Sequence, residues 1–181
     1  MRLITDPMTL LEEFARLIQT HDEYWFLTYS VSNKDFPIID KLIRNKDRIR
    51  LLVAGANSSN VETMASLHNA NVFEVHEKAL SDAMTYHEGD MTRHFHPKVY
   101  LFRDTDGDWE AIIGSVNLTR KSFGMVQASV LINSHDDTDG SLNEKLKRLM
   151  LYEWYENIYH SNDYHGIERQ YEKWLASIED A

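Results

Sequence analysis

The spacing of apolar residues along the first half of the chain predicts alternating helices and strands. In "DPMTLLEEFARLIQTH" (6–21), apolar residues recur at helical spacing, and the Asp-Pro pair that opens it is typical of a helix start. The aromatic and β-branched run 23–32 predicts a buried strand. The pattern then repeats as helix 35–45, strand 48–55, helix 58–70 and strand 71–76. This alternation is typical of βαβ units, in which helices cover both faces of a parallel sheet.

The alternation breaks after residue 76. Residues 77–93 have no clean period, which predicts a loop with some helix. Three closely spaced strands are then predicted, with "DTDGD" as a hairpin turn between the first two and a turn of helix at 118–124; the strands are 98–103, 109–113 and 125–132.

The C-terminal third reads as helical, with apolar residues on one face of each helix: Leu142, Leu146, Leu149 and Trp154, then Ile167, Tyr171, Trp174 and Ile178. No repeat and no linker interrupts the chain. We therefore predict a single domain over 1–181, with a core at about 6–135 and a helical tail at about 140–180. The predicted fold class is α/β, with a mixed, mostly parallel sheet flanked by helices.

Composition limits the classes of function. The absence of cysteine excludes disulfides and thiolate chemistry. No apolar run approaches the roughly 20 residues of a membrane span, and the N-terminus is acidic too early for a signal peptide, so we expect a cytoplasmic protein with no membrane partner. The net charge of −10 argues against a surface that binds nucleic acid through charge alone. The tail from Asp136 onward, with eleven acids against five bases, supplies −6 of it.

Two short segments carry the candidate chemistry. "RHFHPKVYLF" (93–102) places His96 and Lys98 two apart at the start of a predicted strand, where both side chains point to one face. A histidine can attack phosphorus or protonate a leaving alkoxide, and a lysine can neutralise phosphate oxygens. "GSVNLT" (114–119) adds a glycine for close backbone approach and, in Ser115 and Asn117, a hydroxyl and an amide. The set suits phosphoryl transfer without a metal.

These segments resemble the phospholipase D superfamily, whose signature is H-x-K followed by G-S-x-N. The form here, "HPKVYLF…AIIGSVNLT", looks most like the nuclease and restriction-enzyme branch, and "FLTYSVSNKDFPIIDKLIRNKDRIRLLVAG" resembles its first βαβ unit. The resemblance covers roughly residues 20–135. It implies a phosphodiesterase, above all a DNA nuclease of a defence or restriction system, with no cofactor.

The resemblance also implies residue roles. His96 would form a phosphohistidine, Lys98 and Asn117 would hold the non-bridging oxygens, and Ser115 would support His96 or the phosphate, with Gly114 beside it. Family members need two copies of the motif, and those with one copy form dimers. The single copy here therefore implies a homodimer. The likeness to the nuclease branch implies that it acts on nucleic acid, DNA more than RNA.

Two positions depart from the family pattern. Arg103 stands where the full motif has an aspartate, and Gln127 stands where family nucleases have a glutamate that orients the histidine. A glutamine can accept a hydrogen bond from imidazole but cannot offset its positive charge. Together with the acidic balance, this favours an alternative: a catalytically weakened module that binds nucleic acid or a protein partner. Lipid phosphodiesterase activity is a third reading, disfavoured because no apolar interfacial segment is evident.

Other readings of the same residues stay open. A metal could bind His94 and His96 with His87, Asp90 or His76, although no spacing among them matches a known ligand pattern. Ser115 lacks the G-x-S-x-G context of a hydrolase nucleophile. Residues flanking the motif could contact a nucleic-acid backbone or be solvated surface: Arg93, Arg120 and Lys121. We expect the remaining histidines to be surface or capping residues, at positions 21, 68, 135, 160 and 165. We expect the tail aromatics to be core or dimer contacts: Trp154, Tyr155 and Trp174.

Overall fold

A seven-stranded mixed sheet lies at the centre of the computed structural model, which describes residues 1–76, 87–88, 91–92, 96–159 and 164–180. The strands, in chain order, are β1 (Arg2–Ile4), β2 (Glu23–Ser30), β3 (Ile49–Ala56), β4 (Val72–His76), β5 (His87–Glu88), β6 (Met91–Thr92), β7 (Val99–Arg103), β8 (Trp109–Gly114) and β9 (Ser129–Asn133). The sheet order is β1-β9-β8-β7-β2-β3-β4, and β5 and β6 form a separate two-stranded sheet.

Seven α-helices are described around these strands: α1 (Pro7–Thr20), α2 (Pro37–Arg44), α3 (Val61–Leu67), α4 (Arg120–Phe123), α5 (Ser141–Arg148), α6 (Trp154–Tyr159) and α7 (Tyr164–Glu179). Helix α1 starts as predicted, because the Asp6 carboxylate accepts a hydrogen bond from the backbone N–H of Thr9 and Pro7 is the first helical residue. A π-helical segment, Leu149–Glu153, joins α5 to α6. No helix in the described part of the chain is long and apolar enough to cross a membrane.

The sheet is mixed, as predicted, but the expectation of a mostly parallel sheet is wrong. Only β2–β3 and β3–β4 pair in parallel, while the other four pairings of the seven-stranded sheet are antiparallel. The physical reason is that the βαβ pattern ends at β4. Of the strands that follow in this sheet, β7 and β8 are joined by a short turn, which can connect only antiparallel neighbours, and β8 and β9 are joined by a loop that contains α4. The hairpin turn predicted at "DTDGD" is confirmed, with Gly107 at φ 100°.

The N-terminal strand β1 is absent from the sequence prediction. It has three residues, and it is a strand only because its register places Arg2, Leu3 and Ile4 beside Leu131, Val130 and Ser129 of β9. The strand predicted at 125–132 lies instead at Ser129–Asn133, which leaves Gln127 in the preceding loop.

Two apolar layers cover the two faces of the sheet. One packs α1, α2 and α4 against sheet residues that include Phe26, Tyr100 and Phe102. The other packs the helical tail against the opposite face, with Trp154 and Trp174 only 1% and 2% exposed. The expectation that these two tryptophans are core residues is therefore confirmed, and their burial removes them as platforms for stacking bases.

Candidate active site

The residues of the candidate site meet at one edge of the sheet, where β2 and β8 end and β7 begins. The register places Leu27 of β2 beside Val99 of β7, and Val99 beside Ile113 of β8. The backbone N–H of Gly114 donates to the carbonyl of Lys98 at 3.3 Å. The two motif segments, far apart in sequence, are thus neighbours because antiparallel β7 and β8 pair.

Lys98 and His96 are in direct contact. The Lys98 ammonium lies 3.0 Å from His96 Nε2, is also close to Nδ1, and donates to the His96 carbonyl at 3.1 Å. Lys98 is only 7% exposed, whereas the His96 side chain faces solvent. Burial lowers the pKa of the Lys98 amine below its ordinary value, because desolvation disfavours the charged form. A ligand anion beside Lys98 would therefore stabilise the charged ammonium form, which burial disfavours.

Tyr29, at the end of β2, packs its ring against the imidazole of His96. The ring centroids are 5.0 Å apart and the planes are tilted by 48°. Tyr29 is half-buried and joins the apolar layer on the tail side of the sheet, which fixes the ring at this position. The sequence pattern gives no sign of this contact, because nothing local shows that β2 pairs with β7.

Buried side-chain hydroxyl groups form hydrogen bonds with the backbone of the loop 115–119. Tyr100 donates to the carbonyl of Val116 at 2.6 Å, and Thr28 accepts from the backbone N–H of Leu118 at 3.3 Å. Burial raises the pKa of the Tyr100 phenol well above its usual range, so this hydroxyl stays protonated and remains a donor. The loop is further joined to β2, since Ser32 N–H donates to the Leu118 carbonyl at 2.9 Å.

Gly114 is required by the close packing of β8 on β9. A Cβ built at this position would lie 2.5 Å from the carbonyl oxygen of Ala128 and 2.8 Å from Cα of Ser129. No side chain fits at such distances without a backbone shift. Gly114 therefore permits the close approach of the β9 backbone, and its predicted role beside a ligand stays a prediction.

Gln127 has a different partner from the one its position in the motif suggests. Its side-chain oxygen accepts a hydrogen bond from the Ser115 hydroxyl at 2.6 Å, and its amide nitrogen donates to the Ser122 carbonyl at 3.3 Å. In this structure Gln127 therefore orients Ser115. Asn117 is half-buried, and its side-chain oxygen is enclosed with no hydrogen-bond donor in the described part of the chain.

The remaining predicted contacts divide into those that the structure describes and those that it does not. Arg120 and Lys121 are exposed on α4, beside the loop 115–119, and the Arg120 guanidinium donates to the carbonyl of Asp35. Arg93 lies outside the described residues. So do His94 and Asp90 of the metal hypothesis. Among the residues that are described, no three or more His, Asp or Glu side chains form a group that could hold a metal ion.

His21 is a capping residue, as expected, but its side chain is buried. It caps the C-terminus of α1 through its backbone, but its side chain is not on the surface: the residue is 5% exposed. The imidazole lies between two carboxylates, with Nε2 3.0 Å from Glu110 and Nδ1 3.0 Å from Asp104. This cluster is at the opposite end of β2 from His96, so it is not part of the candidate site.

Comparisons with known proteins identify a family and similar solved structures. The model of the family described as "Cardiolipin synthase, PLD-like domain" matches residues 14–150. Among solved structures, NucT from Helicobacter pylori is 17% identical, with a TM-score of 0.55, and the match covers 83% of this chain and 94% of NucT. A phospholipase D family member, Nuc from Salmonella typhimurium, is 16% identical with a TM-score of 0.47, covering 77% and 86%. A comparison with curated proteins finds no significant match.

Proposed function

The chain belongs to the phospholipase D-like family, and from this premise we propose that it hydrolyses phosphodiester bonds of DNA without a metal ion. The observation that carries the proposal is the contact between His96 and the buried Lys98, at a sheet edge that also presents Ser115 and Asn117. A nucleophile, a fixed positive charge and an amide at one point are what in-line attack on phosphorus needs.

The proposed reaction has two steps. A nitrogen of His96 attacks phosphorus, an N–P bond forms, and the P–O bond to the leaving oxygen breaks as that oxygen takes a proton from a second imidazole. Water then attacks the phosphohistidine, the second imidazole takes back a proton, the N–P bond breaks, and His96 is regenerated. Lys98 and Asn117 would hold the non-bridging oxygens throughout.

The second imidazole would come from a second copy of the chain, because the sequence contains one motif. Two apolar residues support a contact beside the site: Met125 is 50% exposed and Val126 is 81% exposed, immediately before Gln127. Exposed apolar side chains at such a position suit a two-fold interface, in which the same surface faces itself. We therefore propose a homodimer with one composite active site.

The first experiment measures cleavage of single- and double-stranded DNA in EDTA, with wild type beside His96→Ala. Cleavage that survives EDTA and is lost in the variant supports the proposal. Denaturation curves of both proteins check that the variant is folded. Cleavage that requires a divalent metal, or that persists in His96→Ala, contradicts it.

Subunit mixing tests the composite site. Excess His96→Ala chain added to wild type should lower activity below the value expected from dilution, since each mixed dimer would contain only one His96 imidazole. The matched control is His96→Ala that also carries Met125→Glu and Val126→Glu, which should not form mixed dimers and should leave wild-type activity unchanged. Equal effects of both chains would contradict the proposed interface.

A second candidate function is a binding module with little or no turnover. Two observations favour it: Gln127 is engaged by Ser115 where family nucleases carry an acidic residue, and the net charge is −10. Retention of a labelled oligonucleotide by a dimeric wild type that gives no product would support this function and contradict the nuclease proposal.

A further inference from the structure

A cavity of about 240 Å³ lies between the sheet and the helical tail, on the face of the sheet that the tail covers. Its walls are mainly apolar: Trp25 and Leu101 from the sheet, Met150 and Leu151 from the π-helical segment, and Ile178 from α7. An enclosed apolar cavity of about 150 Å³ is sufficient to bind benzene. This cavity is therefore large enough for a ring or a short hydrocarbon chain.

Arg103 lines the same cavity and is half-buried. In the β2–β7 register it stands directly opposite Glu23, which would be its natural partner. The Glu23 carboxylate is engaged elsewhere, since it accepts from Arg50 Nε at 3.2 Å and from Trp25 Nε1 at 3.3 Å. In the part of the chain that the structure describes, the Arg103 guanidinium has no carboxylate within ion-pair distance.

Of the charged groups that line the cavity, Arg103 and Lys147 are positive and Glu179 is negative. Glu179 accepts a hydrogen bond at 2.6 Å from the hydroxyl of Tyr152, and Lys147 lies 3.3 Å from Glu144. Both Glu179 and Lys147 line the cavity with Arg103. A half-buried guanidinium beside an apolar wall, with no carboxylate partner of its own, is available to an anionic ligand.

The backbone of the tail is irregular at this same place. The segment Leu149–Glu153 is π-helical between two stretches of α-helix, and it contributes Met150 and Leu151 to the wall. Single π-helical turns inside α-helices are costly and occur frequently at functional sites. The irregular turn, the cavity and the unpaired Arg103 coincide.

We propose that this cavity binds a small amphipathic carboxylate, with its apolar body against Trp25, Leu101 and Met150 and its carboxylate on Arg103. Guanidinium and carboxylate match in geometry, and the pair can form two parallel hydrogen bonds. Arg103 is at the end of β7 opposite His96, so occupancy of the cavity is independent of whether the chain cleaves DNA. Arg103 would then have a role of its own where the family motif has an aspartate.

The test uses octanoate as the probe and 1-octanol as its uncharged counterpart, each titrated into the full chain. Binding is followed by the indole N–H resonances of the tryptophans in ¹H–¹⁵N spectra, with the Trp25 signal assigned from Trp25→Phe. Octanoate should shift the Trp25 signal and bind about tenfold more tightly than octanol, as a charge-assisted hydrogen bond predicts. Equal affinities, or no movement of Trp25, would overturn the proposal.

Variants separate the head-group contact from the apolar contact. Arg103→Gln should reduce octanoate affinity about tenfold, to that of octanol, while Arg44→Gln, which changes an arginine on α2, should leave both affinities unchanged. Leu151→Phe, which fills the cavity, should weaken both probes alike. Thermal denaturation checks that each variant is folded. Full octanoate affinity in folded Arg103→Gln would rule out the proposed site.

Discussion

The antiparallel pair of strands β2 and β7 has His21 at one end and His96 at the other. The surroundings of the two imidazoles differ. His96 is exposed and contacts a lysine and a tyrosine ring, whereas His21 is 5% exposed and lies between the carboxylates of Glu110 and Asp104. An exposed imidazole beside a positive charge can meet a phosphate. An enclosed imidazole is closed to a substrate: its Nε2 is within hydrogen-bond distance of Glu110, and its Nδ1 lies within ion-pair distance of Asp104. Under the proposed function, the His96 end, called the reactive end below, serves the reaction, and the His21 end, called the stable end, serves stability.

The largest expected effects come from removing each imidazole in turn. His96→Ala should lower DNA cleavage on the order of 10³-fold or more while leaving the free energy of unfolding almost unchanged, because the side chain is exposed and would be the nucleophile. His21→Ala should lower the free energy of unfolding by about 2–4 kcal/mol, because it removes a buried partner of two acids. Cleavage rates and urea denaturation of the same preparations measure both quantities.

Below its unfolding transition, His21→Ala should retain wild-type activity per folded molecule. The comparison between the two ends fails if His21→Ala loses cleavage as fully as His96→Ala, or if His96→Ala loses as much stability as His21→Ala.

Gly114→Ala should disturb the reactive end through the backbone. The added methyl group would overlap the Ala128 carbonyl, so β8 and β9 must separate, at a cost of about 2–3 kcal/mol in stability. The accompanying displacement of Ser115 should lower cleavage about 100-fold. Gly124→Ala is the matched control, because its Cβ would meet nothing nearer than 3.4 Å and should change little. Both variants are compared by urea denaturation and cleavage rate, and a wild-type result for Gly114→Ala would contradict the structure at β8–β9.

Much of this reactive end could be predicted from sequence. The H-x-K spacing, the strand that follows it and the hairpin turn are local patterns, and they correctly bring Lys98 beside Gly114. The contacts of Tyr29 and Gln127 could not be predicted, because each depends on a partner more than ten residues away. The same holds for His21: its burial results from the position of Glu110, 89 residues later in the chain.

The elements of the fold likewise divide into those that a local sequence pattern predicts and those that depend on distant partners. Periodicity predicted β2, β3, β4 and the helices between them, because each is a local pattern with its own start and end signals. It did not predict β1, whose three residues form a strand only against β9. It also did not predict which face of the sheet the tail covers, since an amphipathic helix reports only that it has an apolar side.

Replacing Tyr29 tests whether the ring contact at the reactive end matters to catalysis. Tyr29→Leu should lower kcat about tenfold with little change in KM, because a looser imidazole is less often aligned for attack. Tyr29→Phe keeps the ring and should retain most of the activity. Tyr152→Leu, in the helical tail, serves as the control. A rise in KM at constant kcat would mean that Tyr29 stacks on the substrate instead of positioning His96.

The smallest expected effect is at the stable end and depends on pH. Burial raises the pKa of Glu110, but hydrogen bonds from Arg16, at 2.8 and 3.0 Å, and from His21 outweigh it and leave this pKa below its ordinary value. A carboxylate with a lowered folded-state pKa stabilises the protein above its unfolded pKa, and that contribution is lost as the pH falls through the folded one.

Glu110→Gln should therefore shrink the difference in unfolding free energy between pH 7 and pH 4 by about 1 kcal/mol. Glu144→Gln, whose carboxylate is 72% exposed, should leave the difference unchanged. Urea denaturation of the three proteins at both pH values measures it. The outcome separates the two ends again: if Glu110→Gln lowers stability equally at both pH values, the cluster stabilises the fold by packing alone. If the loss is concentrated at pH 7, the charges around His21 hold α1 to β8. The electrostatic stabilisation then comes from the His21 end and not from the His96 end.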